Sequence, residues 1–344
     1  MRNRGIATAM AAAFLLSAGA SEENAGEATG DMNRFRNLFP EWVKCVAIVS
    51  PASPGQTGEV DLGIALLKQA GIQVVVMPHA REHENSGYST IEAEKRAADL
   101  ETAWLDPRVD LILCTRGGIG SEELPDKLDW GKLARRKDMP VVGFSDITSL
   151  HCAMLKTGVG HPFSGPSLAA LLGCDEASLQ HFRRTLDGGD LAPVPLRALR
   201  GGKASGLAAG GHLMLLERMS RSDYAPDYAG KVVFIECPGR KPSVVENALN
   251  KMRERGCFRK CAGIVFGHFV NCGPPGEIEE VLCRFTGTVD CPVFAGFPHG
   301  HRGSNRMLDF RRKVVIGEDG ILVFEKPQKN AFTRLNNQRE LTNE

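Results

Sequence analysis

From about residue 44 the chain alternates between short, β-branched apolar runs and longer amphipathic stretches. "VAIVS" (46–50) reads as a strand and ends in the turn-forming "PASPG". "EVDLGIALLKQAG" (59–71) reads as a helix closed by Gly71, a residue suited to a helix C-terminus. "IQVVVMP" is the next strand, "TIEAEKRAADLETAWL" the next helix and "VDLILC" the third strand. A glycine loop, "TRGGIGS", precedes "PVVGF" and the helix "DITSLHCAMLKTG". Strands that are apolar throughout, separated by helices, predict a parallel sheet covered on both faces. In such sheets ligands collect at the carboxyl ends of strands, where Ser121 and Ser145 both fall.

The alternation resumes after a glycine-rich stretch at 195–210, which reads as the crossing between two domains. Helix-like "HLMLLERM" leads to the strand "KVVFIE", the helix "SVVENALNKMRERG", the strand "AGIVFGHF", the helix "GEIEEVLCRF" and the strand "PVFAGFP". "KVVIGEDGILVFEK" reads as a hairpin turning at Glu318-Asp319-Gly320. The predicted fold class is therefore α/β, with an N-terminal parallel-sheet domain (41–194) and an α/β C-terminal domain (211–328). An extension (1–31) precedes them and a polar tail (329–344) follows.

Charge narrows the choice of partners. Lys and Arg total 42 against 41 Asp and Glu, so the chain lacks the footprint of a nucleic-acid or anionic-membrane binder. The N-terminus has a basic start, an apolar run from Gly5 to Leu16 and a small-residue site at Ala18-Gly19-Ala20. That is the layout of a secretory signal peptide, and the run is too short to span a bilayer. The alternative is a start at Met32. The 10 cysteines point the other way. Several sit in apolar strands as small buried hydrophobes, a pattern of reduced cytosolic proteins rather than disulfide scaffolds.

The glycine loop poses the main chemical question. A dinucleotide fingerprint needs a third glycine where Glu123 stands, and two carboxylates at the turn would repel a pyrophosphate. As a nucleophile, Ser121 would have unshielded backbone N–H groups beside it for an oxyanion. As a helix N-cap it would need no chemistry at all, and taken alone that is the stronger reading. Ser145 is a rival nucleophile directly after a strand, but it lacks the second glycine of a G-x-S-x-G elbow, and Ser145 or Asp146 also fits a cap. Glu236 ends an apolar run, where a carboxylate needs a partner. His299 and His301 lie in a glycine-rich loop and are candidate bases. Cys257, Cys261, His268 and Cys272 carry ligand types for zinc, but an extended strand would hold them apart.

Six segments in order, "VAIVSPASP", "RGGIGS", "VVGFSDITSLH", "GKASGLAAGGHLMLL", "VVFIE" and "GFPHGHRGSN", resemble the LD-carboxypeptidase family, serine peptidases that include murein tetrapeptide carboxypeptidases and microcin-immunity peptidases. The resemblance runs from about Val43 to Lys326. It implies an active site between the α/β domain and a smaller C-terminal domain, a Ser-Glu-His triad, no metal or other cofactor, a homodimer and a cytoplasmic location, with export as the alternative. Carried over, the triad is Ser121, Glu236 and His301. Gly118 and Glu122 are expected at the oxyanion site, Arg116 is a candidate for the substrate carboxylate, and Ser145 is expected to line the substrate without attacking it. The implied reaction removes the terminal D-alanine from murein tetrapeptide. Hydrolysis of a peptidyl-nucleotide amide and a non-catalytic ligand-binding role are the alternatives. The sequence departs from the family pattern at Ile119, Phe144, His212 and Leu308-Asp309. It also departs at Glu236-Cys237-Pro238-Gly239-Arg240, where a second acid is replaced by Arg240.

Overall fold

The computed structural model describes residue 35 and residues 37–81 and 91–327; the extension 1–31 and the tail 329–344 lie outside them. The strands in chain order are β1 (Cys45–Val49), β2 (Gln73–Val76), β3 (Leu111–Cys114), β4 (Pro140–Gly143), β5 (His161–Ser164), β6 (Val194–Pro195) and β7 (Arg197–Arg200). They continue with β8 (Ala204–His212), β9 (Val232–Pro238), β10 (Gly263–Val270), β11 (Val293–Ala295), β12 (Leu308–Asp309), β13 (Lys313–Ile316) and β14 (Ile321–Phe324). The helices are α1 (Thr57–Gln69), α2 (Ala93–Leu105), α3 (Trp130–Leu133), α4 (Thr148–Thr157), α5 (Leu168–Leu172), α6 (Glu176–Leu186), α7 (Leu213–Met219), α8 (Pro242–Glu254) and α9 (Pro275–Thr286).

Two sheets organise the chain. The first runs β12-β5-β4-β3-β1-β2, parallel except for the short β12. The second runs β6-β14-β13-β8-β9-β10-β11-β7, with a parallel centre from β8 to β11 and antiparallel flanks. The apolar runs follow from burial on both faces. In β1, Val46 and Ile48 join the core beneath α1, α5 and α6, while Cys45, Ala47 and Val49 join the core beneath α2 and α4. Each such Val or Ile contributes roughly 1.5–3 kcal/mol by leaving water. The second sheet is packed in the same way by two further cores. No helix among the described residues is long and apolar enough to cross a membrane.

The stretch 195–210 differs from its reading as a crossing, since β7 and most of β8 are built from it. Two of its glycines serve close strand packing. A Cβ on Gly206 would run into the Gly230 carbonyl, and one on Gly210 into the Phe234 carbonyl. Carboxyl ends of parallel strands from the two sheets meet at a junction. There the backbone N–H of His212, at the end of β8, donates to Thr148 Oγ1 at the start of α4 (3.0 Å).

Candidate active site

Three strand ends meet at this junction. Ser145 follows β4, Glu236 lies near the carboxyl end of β9, and His301 is carried by the loop after β11. Ser145 Oγ is 2.9 Å from His301 Nε2, and His301 Nδ1 is 2.7 Å from Glu236 Oε2. An ionised Glu236 accepts from Nδ1–H, which leaves Nε2 as the acceptor for the serine hydroxyl. Burial pushes the Glu236 carboxyl up, but the His301 hydrogen bond and the nearby histidines outweigh it, and the net shift is below the ordinary glutamate value. The carboxylate is therefore charged although Glu236 is 1% exposed.

The backbone at Ser145 is unusual. Phe144 is extended, Ser145 has φ 62°, and a 3-10 turn (Ser145–Ile147) leads into α4. A non-glycine residue at positive φ is held there by its surroundings, and such strain collects at reactive positions. Strand, sharp serine and helix form the same succession as a nucleophile elbow. The clearance that a second glycine gives in G-x-S-x-G comes here from another segment. A Cβ on Gly117 would stand 2.8 Å from Ser145 Cβ and 3.2 Å from the Asp146 nitrogen. The glycine loop therefore makes room for Ser145.

Ser121 occupies a different place from the one expected. It is fully buried in a 3-10 turn (Ser121–Glu123), where its backbone N–H donates to Asp146 Oδ2 (2.8 Å) and its hydroxyl donates to the Asp146 carbonyl. Its proton is committed to that carbonyl, and it is Ser145 that meets His301. The N-cap readings fail as well. Neither Ser121 nor Ser145 caps a helix with its side chain, and the residue before α4 is Ile147. Glu122, expected at the oxyanion site, instead pairs with Arg218 of α7 (2.8 Å). Gly118 packs against Ser53, whose Oγ accepts from the Ile119 N–H (3.2 Å). Arg116 lies half-buried at the start of the loop.

The histidine loop is pinned from several sides. His299 is buried, with Nδ1 3.1 Å from the Arg306 carbonyl and Nε2 3.3 Å from Ser164 Oγ. Burial lowers its pKa, so it remains a neutral anchor. The Gly300 N–H donates to Asn305 Oδ1 (3.1 Å), and the Asn305 N–H to Ser178 Oγ (2.9 Å). Gly300 has φ 122°, and a Cβ there would lie 2.8 Å from Glu236 Oε2, so only glycine lets the carboxylate reach His301. The Phe144 ring lies over His301 with centroids 4.9 Å apart. The His212 ring lies edge-on to His301 with centroids 6.0 Å apart, its Nδ1 accepting from the Met214 N–H. Burial takes its pKa down to about 4.

The zinc-like spacing does not converge. Cys261 Sγ contacts Cys291 Sγ (3.2 Å), Cys272 Sγ donates to the Cys237 carbonyl, and no cluster of three metal-ligating side chains occurs among the described residues. The sequence reading expected Ser121 beside His301, and the structure puts Ser145 there. The signal for Ser145 was the strand running straight into "GFSD", but the glycine that completes the elbow lies 28 residues earlier at Gly117.

Both halves of the chain match known proteins. Residues 46–165 match the LD-carboxypeptidase N-terminal domain, and residues 205–316 match its C-terminal domain. A protein of Synechocystis sp. bearing a provisional carboxypeptidase name is 30% identical over 81% of this chain and 93% of its own length. The murein tetrapeptide carboxypeptidase of Pseudomonas aeruginosa is 28% identical over 79% of this chain and 92% of its own. Among solved structures, the muramoyltetrapeptide carboxypeptidase of Oxalobacter formigenes superposes with a TM-score of 0.71 at 25% identity, covering 83% of this chain and 100% of that one. An MccF-like protein from Bacillus anthracis shares the fold with a TM-score of 0.74 at 21% identity, over 84% and 98%. With both domain models matched, over residues 46–165 and 205–316, the chain belongs to the LD-carboxypeptidase family of peptidases.

Proposed function

We propose that this protein is a serine carboxypeptidase in which Ser145 is the nucleophile, His301 the general base and Glu236 the carboxylate that orients it. The observation that carries the reading is the continuous line from Ser145 Oγ through His301 to the buried Glu236. Ser145 Oγ attacks the carbonyl carbon before the C-terminal residue while His301 Nε2 takes the hydroxyl proton. The oxyanion meets the backbone N–H of Asp146, the residue after the nucleophile. His301 then gives its proton to the departing amine as the C–N bond breaks. Water, deprotonated by His301, hydrolyses the acyl-enzyme and restores Ser145.

The proposed substrate is murein tetrapeptide, which would lose its terminal D-alanine to leave the tripeptide. The names of the Pseudomonas and Oxalobacter relatives support this class. The test is D-alanine release from L-Ala-γ-D-Glu-meso-diaminopimelate-D-Ala, followed by mass spectrometry. Wild type should release it, and Ser145→Ala should not. Equal release by both would overturn Ser145 as nucleophile. A wild type that is inert here but cleaves an aminoacyl-nucleotide amide would move the substrate to the microcin-immunity class.

A further inference from the structure

We infer that Ser121 and Asp146 form a positioning clamp that holds the strained Ser145 in its reactive conformation. The inference rests on the proposed role of Ser145. It gives Ser121 a purpose of its own: a positioning residue that acts through the nucleophile without touching the substrate.

Two hydrogen bonds join the same pair of residues, both donated by Ser121 and accepted by Asp146. The Ser121 N–H donates to the Asp146 carboxylate, and the Ser121 hydroxyl donates to the Asp146 carbonyl. Asp146 is thus gripped by its side chain and by its backbone at once. Both residues are buried, Ser121 at 0% and Asp146 at 4% exposure, so water cannot substitute for either bond. Asp146 directly follows Ser145, whose φ of 62° belongs to the left-handed region. An L-residue there is strained and stays only if its neighbours enforce it. The carbonyl held by Ser121 closes the peptide after Asp146, so rotation that would relax Ser145 must also pull on this bond.

The clamp is itself anchored. The buried Arg96 guanidinium donates to the Gly120 carbonyl (2.9 Å), immediately before Ser121, and to Glu123 Oε2 (2.6 Å), just after it. It also donates to the Pro51 carbonyl in the loop after β1. The glycine loop is therefore fixed on both sides of Ser121. Gly117, earlier in the same loop, lies against Ser145. One segment both clears space for the nucleophile and fastens the residue behind it.

The test uses the rate of covalent labelling by a fluorophosphonate, with the adduct located by peptide mass spectrometry, alongside kcat and KM for tetrapeptide cleavage. Wild type should label on Ser145, and Ser145→Ala should not label. Ser121→Ala keeps the backbone bond and loses the hydroxyl bond. It should label about tenfold to a hundredfold more slowly, the effect of misplacing a reacting atom by about an ångström. It should lower kcat by a similar factor with KM within about twofold. Ser121→Cys, of similar size and with a weak donor, should recover part of the loss, and Asp146→Asn should fall between Ser121→Ala and wild type. All rates are read well below each variant's melting temperature, so that lost stability alone does not change them.

A folded Ser121→Ala that labels at the wild-type rate, while Ser145→Ala stays unlabelled, would overturn the clamp and leave the nucleophile standing. If Ser121→Ala does not fold, the same outcome from Ser121→Cys and Asp146→Asn together would overturn it. A wild type labelled on Ser121, or not labelled at all, would sink the nucleophile and the clamp together.

Discussion

Gly117 faces Ser145 across two segments of the chain, with no room for a side chain on the glycine. A methyl group there would meet Ser145 Cβ at 2.8 Å and Ser145 Oγ at 3.0 Å. Real carbon contacts do not come so close, so the serine must move. Gly117→Ala is expected to lower kcat/KM by about a hundredfold while the protein still folds, because the displaced side chain carries the proposed attacking oxygen. Circular dichroism together with the D-alanine assay would check this. A Gly117→Ala enzyme with unimpaired turnover would remove the contact from the account of catalysis.

The Glu236–His301 pair carries the second prediction. Glu236→Gln keeps the shape but removes the charge that sets the imidazole tautomer and stabilises the imidazolium formed during attack. Activity should fall by about 10⁴-fold, the scale seen when the acid of a serine triad is made neutral. Stability should not fall with it, since a buried charge has been exchanged for a neutral amide. A thermal melt beside the kinetics separates the two effects. An equal loss of both would mean that Glu236 is chiefly a structural group.

Buried histidines predict the pH dependence of stability. Burial lowers His151 and His181 from 6.5 to about 3, and His212 to about 4. Each folded ring stays neutral where the unfolded chain takes up a proton. Their contribution is therefore complete above about pH 6.5 and is lost as pH falls towards the folded values, by up to about 1.4 kcal/mol per pH unit for each ring. Glu236, also lowered, acts in the same direction at more acid pH. Urea midpoints should fall steadily between pH 7 and pH 5. His151→Leu, at a fully buried ring packed edge-on to Phe310, should make that fall shallower. An unchanged slope would assign the acid sensitivity elsewhere.

The sheets were legible in the chain because strands such as "VAIV" and "VDLIL" are apolar on both faces, which only a covered parallel sheet demands. Glu236 and His301 were legible because a carboxylate closing an apolar strand and a histidine in a glycine loop each call for a partner. The choice between Ser121 and Ser145 was not. Both serines follow strands beside glycines, and what separates them is the Gly117–Ser145 contact across 28 residues of chain. The stretch 195–210 was misread for a related reason. Its glycines resemble a linker in sequence, yet in the fold they press β8 against neighbouring carbonyls.

Arg96 offers the last prediction, because its environment differs so sharply from that of a surface arginine. It is 2% exposed, and besides Glu123 it satisfies the carbonyls of Ile91, Pro51 and Gly120. Taking the guanidinium out of water lowers its pKa, an effect that Glu123 only partly offsets. Lysine carries the same charge, but its single ammonium cannot span three carbonyls and a carboxylate at once. Arg96→Lys should therefore leave buried acceptors unpaired, at about 1–3 kcal/mol each, and loosen the loop that holds Ser121. Arg81 is the control. It pairs with Asp61 at 2.7 Å, but the two side chains are 38% and 45% exposed, so Arg81→Lys should change stability by less than about 1 kcal/mol. Chemical denaturation of both variants would check the contrast, and equal small effects would show that the glycine loop holds its shape without Arg96.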